Sequence, residues 1–80
     1  MRICEETAQR IRELCKDRGI TPNGLSYISG VSQSTIKSIL NGESQNPGIT
    51  TIKKLCDGLN ITIGEFFNTD DFNRLEQELE

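Results

Sequence analysis

Residues 21–42 read TPNGLSYISGVSQSTIKSILNG, and no other stretch restricts the possible fold as strongly. Two short helical patterns flank Gly30, Val31 and Ser32. The first covers about residues 22–29. Thr21 suits its N-cap, and Pro22 suits the first helical position, where a missing N–H leaves nothing unpaired. Leu25 and Ile28 form its apolar side, with the small Ser26 beside them. Gly30 supplies the positive φ that stops a helix. Val31 plugs the corner, Ser32 caps the second helix, about residues 33–41, and Gly42 ends it.

The second helix has a sharp division of faces. At ~100° per residue, Ile36, Ile39 and Leu40 fall on one side. Ser34, Lys37, Ser38 and Asn41 point away, with Gln33 at the flank. The outer face carries short donors and acceptors, one cation, and no carboxylate before Glu43. A helix that enters the major groove of DNA needs such a face, because base edges demand hydrogen-bonding groups and reject bulk and negative charge. Two helices joined by a tight glycine turn, the second with a readable polar face, form the helix-turn-helix pattern.

Thr21, Leu25, Ser26, Gly30, Val31, Ser32, Thr35, Ile36 and Gly42 resemble the pattern of the lambda-repressor-like, Xre/Cro-type family. The resemblance continues on both sides. Arg10-Ile11-Arg12-Glu13-Leu14 and Gly19-Ile20-Thr21 look like that family's first helix and its exit. Pro47, Thr51-Ile52, Lys54-Leu55, Leu59, Ile61-Thr62 and Glu65-Phe66-Phe67 look like its last two helices. An ordered series over about residues 8–68 is far more specific than a bare helix-turn-helix.

The resemblance implies an all-α fold: a compact five-helix domain over residues 1–68, its motif at 21–42. An acidic tail or short helix follows at 69–80. It also implies a sequence-specific DNA-binding regulator, a repressor acting as a homodimer on a palindromic operator. The helix at 33–41 would lie in the major groove of double-stranded DNA. Ser32 then stands where relatives touch the backbone or the first base. Gln33, Ser34 and Ser38 stand where they read base edges, with Lys37 between. Asn41 lies at the end of that face. Asn23 and Gly24 would help draw a phosphate to the start of the preceding helix, and Asn46 stands in a loop that relatives lay along the phosphates. Repression follows from the bound dimer excluding polymerase. No cofactor is implied.

Two departures modify this. Many relatives pair a buried arginine, where Cys15 stands, with a glutamate where Leu40 stands. An apolar pair can replace a buried ion pair, whereas changing one partner alone strands a charge, so Cys15 and Leu40 are expected to touch. Relatives also use a phosphate-clamping glutamine where this chain has Pro22, which offers neither an amide nor an N–H. Gly24 weakens the same helix by roughly 1 kcal/mol relative to alanine.

The remaining elements follow from periodicity. A first helix is expected over residues 5–18, with Met1 to Ile3 frayed or loosely packed. Thr7 or Ala8, Ile11, Leu14 and Cys15 face its core side. Glu5 and Glu6 suit its first turn, and Lys16 and Arg18 its last. Arg10 and Arg12 point outward, to solvent or to a phosphate, and Tyr27 is either a surface ring or a phosphate contact. Ser26 lets the two motif helices cross closely. Thr35 supports capping. Residues 41–48 form a polar loop in which Ser44, Gln45 and Asn46 are neutral and Glu43 repels phosphate. A fourth helix starts at Thr50 or Thr51, with Ile52, Leu55, Cys56 and Leu59 inward and Lys53, Lys54 and Asp57 in water. Thr62 and Glu65 make a capping box for a fifth. Ile63, Phe66 and Phe67 exceed what a small core needs, which suggests a dimer seam. Phe72, Leu75 and Leu79 fit one face of a short tail helix capped by Thr69 or Asp70, which folds back, joins a dimer contact or frays.

Charge tempers the DNA reading. The chain carries −3 overall, but residues 70–80 hold five acids against Arg74, or −4, leaving eight basic and seven acidic groups elsewhere, or +1. That is short of a basic footprint. A protein-binding adaptor or antitoxin-like module of the same fold, with weak DNA binding and a protein partner, is therefore the second reading. Cys4, Cys15 and Cys56 match no zinc spacing, and the chain has no histidine. Cys15 and Cys56 read as small buried apolar groups and Cys4 as an exposed thiol. With no base to activate a serine or cysteine, an enzyme is not expected. No apolar run approaches the ~20 residues that span a membrane, so a cytoplasmic location is expected.

Overall fold

A computed structural model describes residues 2–44 and 46–78. The expectations for Met1, Gln45, Leu79 and Glu80 lie outside the described residues. Helix α1 spans Ile3–Arg18, α2 Pro22–Ser29, α3 Gln33–Leu40, α4 Ile49–Leu59, α5 Ile63–Phe67 and α6 Asp70–Asn73, with no strand among the described residues. This is the expected five-helix domain with a short helical extension.

The core forms because each of the first five helices contributes an apolar stripe at helical spacing. Ala8, Ile11, Leu14 and Cys15 of α1 meet Leu25 of α2, Ile36 and Ile39 of α3, Ile52, Leu55, Cys56 and Leu59 of α4, and Phe66 of α5. Val31 is buried at the corner, as expected. Burial pushes the Cys15 and Cys56 thiols above their usual pKa, so both behave as neutral packing groups. Thr7 and Ala8 are both buried, and the Thr7 hydroxyl donates to the Ile3 carbonyl at 2.8 Å.

Several boundaries and faces differ from expectation. Helix α1 begins at Ile3, not Glu5, because the start has partners that local sequence does not reveal. The Arg2 N–H donates to Glu5 Oε1 at 3.1 Å, and the Ile3 N–H donates to Glu78 Oε2 at 2.8 Å. Arg2 also pairs with Glu78 at 2.9 Å. The tail therefore folds back and places a carboxylate at the helix N-terminus, where the dipole favours one. Helix α4 begins at Ile49, with Gly48 as N-cap, although the Ile49 side chain is 69% exposed.

Ile28 is 48% exposed rather than buried with Leu25. Helix α2 is rolled so that Ser29 faces α4, where Gly58 lets the two backbones meet. On a helix with ~100° per residue, Ile28 and Ser29 flank Leu25 on opposite sides, so turning one inward turns the other out.

The arginines of α1 are not simply solvated. Arg10 donates to the carbonyls of Phe66 at 2.7 Å and Glu65 at 2.9 Å, and its guanidinium lies 6.0 Å from the Phe66 ring centre. Arg12 donates to the Leu40 carbonyl and Arg18 to the Leu59 carbonyl. Each guanidinium thus satisfies C-terminal carbonyls of a different helix, α5, α3 and α4, at the end where a cation is favoured.

The aromatic surplus is used within the chain. Phe66 is fully buried. Phe67 packs edge-on against Phe66 and Phe72 with ring centres 4.8 Å and 5.0 Å apart. Thr69 caps α6, its hydroxyl accepting from the Phe72 N–H at 3.2 Å. The expected capping box is present in α5: Glu65 N–H to Thr62 Oγ1 and Thr62 N–H to Glu65 Oε1, both 2.9 Å.

Candidate nucleic-acid interface

The turn between α2 and α3 is fixed by side chains of α2. Gly30 takes φ 76° and donates to the Ser26 carbonyl at 3.0 Å. The Ser26 hydroxyl donates to the Val31 carbonyl at 2.6 Å, and the Val31 N–H donates to Ser29 Oγ at 3.2 Å. Ser26 therefore does more than leave room for a crossing: it ties the corner directly. Helix α2 starts as expected, with Thr21 Oγ1 accepting from the Gly24 N–H at 3.1 Å.

Ser32 caps α3 through its oxygen, which accepts from the Thr35 N–H at 3.2 Å, and its hydroxyl lies 2.9 Å from Thr35 Oγ1. The far end is held as firmly. The Ser38 carbonyl accepts from the N–H groups of Glu43 at 2.9 Å and Ser44 at 3.1 Å, and Gly42 turns the chain with φ 77°. Arg12 covers the Leu40 carbonyl. Helix α3 is thus clasped to its surroundings at both ends.

Between those clasps the two faces separate cleanly. Ile36 and Ile39 are 1% and 2% exposed. Leu40 is half-buried against the core cluster, and it lines a hollow with Ala8 and Arg12 of α1. Ser32, Gln33, Ser34, Thr35, Lys37 and Asn41 are exposed, and Ser38 is half-buried.

The outward residues form a connected surface. Asn23, Gln33, Ser34, Lys37 and Asn41 line one hollow, beside Pro22 and Leu40. Ser34 also lines a second hollow with Thr35, Ser38, Glu43 and Ser44. Asn46 stands apart from this group, beside Pro47, Gly48, Ile49 and the start of α1. Lys37 is the one cation and Glu43 the one carboxylate of residues 21–44. Elsewhere Lys53 is held by Asp57 at 2.6 Å, and Arg10, Arg12 and Arg18 are engaged by carbonyls. The arrangement offers hydrogen-bond donors and acceptors to a groove and little positive charge to its phosphates.

Sequence reasoning missed the clasps. The spacing of Arg10, Arg12 and Arg18 places them on different sides of α1, so no one-face pattern marks them. Their targets exist only once the helices are packed.

The family model for the Cro/C1-type HTH DNA-binding domain matches residues 10–71. The chain belongs to this family. Its match runs from the first helix into the tail and includes the whole of α2 and α3. This Cro/C1-type domain is 43% identical over 53 residues to the uncharacterized HTH-type transcriptional regulator RghRB of Bacillus subtilis (strain 168), a match covering 66% of this chain and 38% of that protein. It is 40% identical over 57 residues to the HTH-type transcriptional repressor RghR of the same organism, covering 71% and 42%. The matched segment is thus about two-fifths of either relative. Among solved structures, the prophage Lp1 protein 11 superimposes with a TM-score of 0.81 at 31% identity, covering 92% of this chain and 97% of that one.

Proposed function

We propose that the protein is a sequence-specific transcriptional regulator that inserts α3 into the major groove of double-stranded DNA. The observation that carries this reading is the exposed polar face of α3, continuous with Asn23 and held rigid at both ends. Gln33 has the donor–acceptor pair that matches adenine N6 and N7. Ser34 and Ser38 are short and read bases through water. Lys37 reaches guanine or a phosphate. Ser32 and Asn41 bound the face and contact the backbone, and Asn46 adds a backbone amide contact from the loop.

In this reading the chain is a cytoplasmic repressor. Residues 1–68 form the DNA-binding unit, and the acidic tail that follows is tied back to it through Glu78. Two copies bind a palindromic operator with recognition helices ~34 Å apart. The name of RghR, a repressor, supports the regulatory sign. The scarcity of free cations near α3 favours a second reading, a protein-binding adaptor with weak DNA affinity.

Selection of genomic fragments at low salt distinguishes the two. The regulator reading expects one enriched palindromic sequence whose binding is lost selectively in Gln33→Ala and Lys37→Ala. No enriched sequence would favour the adaptor.

A further inference from the structure

The one carboxylate of the motif stands beside the outer face of α3 and does not trail away from it. Gly42 takes φ 77°, and the chain doubles back so that the N–H groups of Glu43 and Ser44 both donate to the Ser38 carbonyl, at 2.9 Å and 3.1 Å. Glu43 then lines a hollow with Ser34, Thr35 and Ser38, although Ser34 lies near the opposite end of α3. Ser34 also lines the hollow that holds Lys37, Gln33 and Asn41. The outer face thus has a cation in one hollow and an acid in the other. The ion pairs of the described residues join Arg2 to Glu78, Lys53 to Asp57 and Arg74 to Asp71, so none of them neutralises Glu43.

An ionised carboxylate only accepts hydrogen bonds. Carried toward a duplex it is repelled by the phosphates, unless a base edge offers it a donor. Two bases do so in the major groove, cytosine through N4 and adenine through N6. Adenine sets its amino group beside N7, an acceptor that repels a carboxylate, whereas cytosine presents the amino group alone. The serine hydroxyls that share the hollow can donate to guanine O6 across the same pair. The hollow therefore matches one base pair better than the other three arrangements.

We propose that Glu43 is a specificity-determining residue that accepts a hydrogen bond from cytosine N4 and fixes a C·G pair in each half of the operator. This rests on α3 entering the major groove. The expectation from sequence is that Glu43 merely repels phosphate. Its placement among Ser34, Thr35 and Ser38 gives it a second role: the same charge that weakens binding to any duplex selects the one that supplies an amino group. The double bond of the Ser38 carbonyl to the Glu43 and Ser44 N–H groups holds the backbone of Glu43 in place before DNA arrives.

The test is fragment selection with the wild-type chain, Glu43→Ala and Glu43→Gln, followed by binding to the selected duplex with each of the four base pairs at the fixed C·G position. Glu43 is exposed and only its backbone is bonded, so both variants keep the fold. The wild-type chain should lose roughly tenfold in affinity when that cytosine is replaced. Glu43→Ala should bind the four duplexes nearly equally while every other operator position stays fixed. Glu43→Gln should move the preference to adenine, whose N6 and N7 match an amide. Tighter binding of Glu43→Ala to every duplex alike, with the selected sequence unchanged, would mean that the acid only repels phosphates and would overturn the assignment. A wild-type sequence with no fixed C·G pair would also overturn it and leave the α3 reading standing. No selected sequence for the wild-type chain would overturn the α3 reading and this assignment with it.

Discussion

Gly58 lies so close to Ser29 that a Cβ placed upon it would stand 2.8 Å from the Ser29 Cα and 3.0 Å from the Ile28 carbonyl oxygen. Helix α2 therefore rests on α4 backbone to backbone. On helix propensity alone, Gly58→Ala should gain up to about 1 kcal/mol. The opposite is expected here, because the obstructing atoms are main chain and cannot swing away. Overpacking should cost about 1–3 kcal/mol in chemical denaturation, and α2 should shift away from α4. Gly64→Ala serves as the control, since its nearest neighbour is a side-chain oxygen at 3.7 Å.

Arg12 anchors the exit of α3 from a different helix. Arg12→Ala should remove a charge-assisted hydrogen bond to the Leu40 carbonyl and cost about 1 kcal/mol of stability. The more telling result is local. Hydrogen exchange should accelerate at the last turn of α3 and through Gly42 to Ser44, while α4 and α5 stay protected. Uniform acceleration everywhere would contradict a local clasp.

Acid should loosen α5 first. The Glu65 carboxyl is held below its ordinary pKa by the Thr62 backbone N–H, helped by the Thr62 side chain. A lowered folded-state value means the unfolded chain binds the proton more tightly. Its contribution is therefore present above the unfolded value of about 4.5 and is lost as pH falls through the folded value. Glu65→Gln should flatten the acid limb of a stability–pH curve below that value. An unchanged limb would mean the capping box carries no pH dependence.

Binding to a selected operator should weaken only gently with salt. Lys37 stands alone among the cations of the α3 face, and Arg10, Arg12 and Arg18 are engaged elsewhere. Few counterions are released, so the slope of log K against log salt should be shallower than the 6–10 phosphate contacts of strong binders would give. Lys37→Ala should lower the slope by about 1 if it holds a phosphate, and should instead relax one base position if it reads guanine.

The legibility of this fold in its sequence divides along a physical line. Local signals carried the caps at Thr21, Ser32 and Thr62, the turns at Gly30 and Gly42, and the stripes of α1 and α4, because each depends on residues within one or two turns. Tertiary partners decided the rest. The early start of α1 depends on Glu78, distant in sequence. Ile28 is exposed because Gly58 draws Ser29 inward. The side of α1 that holds Glu6 looked like a favourable first turn, and the returning tail sets Asp71, Arg74, Leu75 and Glu76 beside it. On the candidate interface, the polar face of α3 followed from periodicity. The separation of Asn46 from it did not, since a loop has no period to extrapolate.

The most direct test of DNA readout by α3 is a titration of the ¹⁵N-labelled chain with its selected duplex, followed amide by amide. The largest shifts should fall on residues 32–41 and on Asn23, with the α1–α6 seam nearly silent. Shifts concentrated on α1, α5 or α6, with α3 unmoved at saturation, would contradict the account.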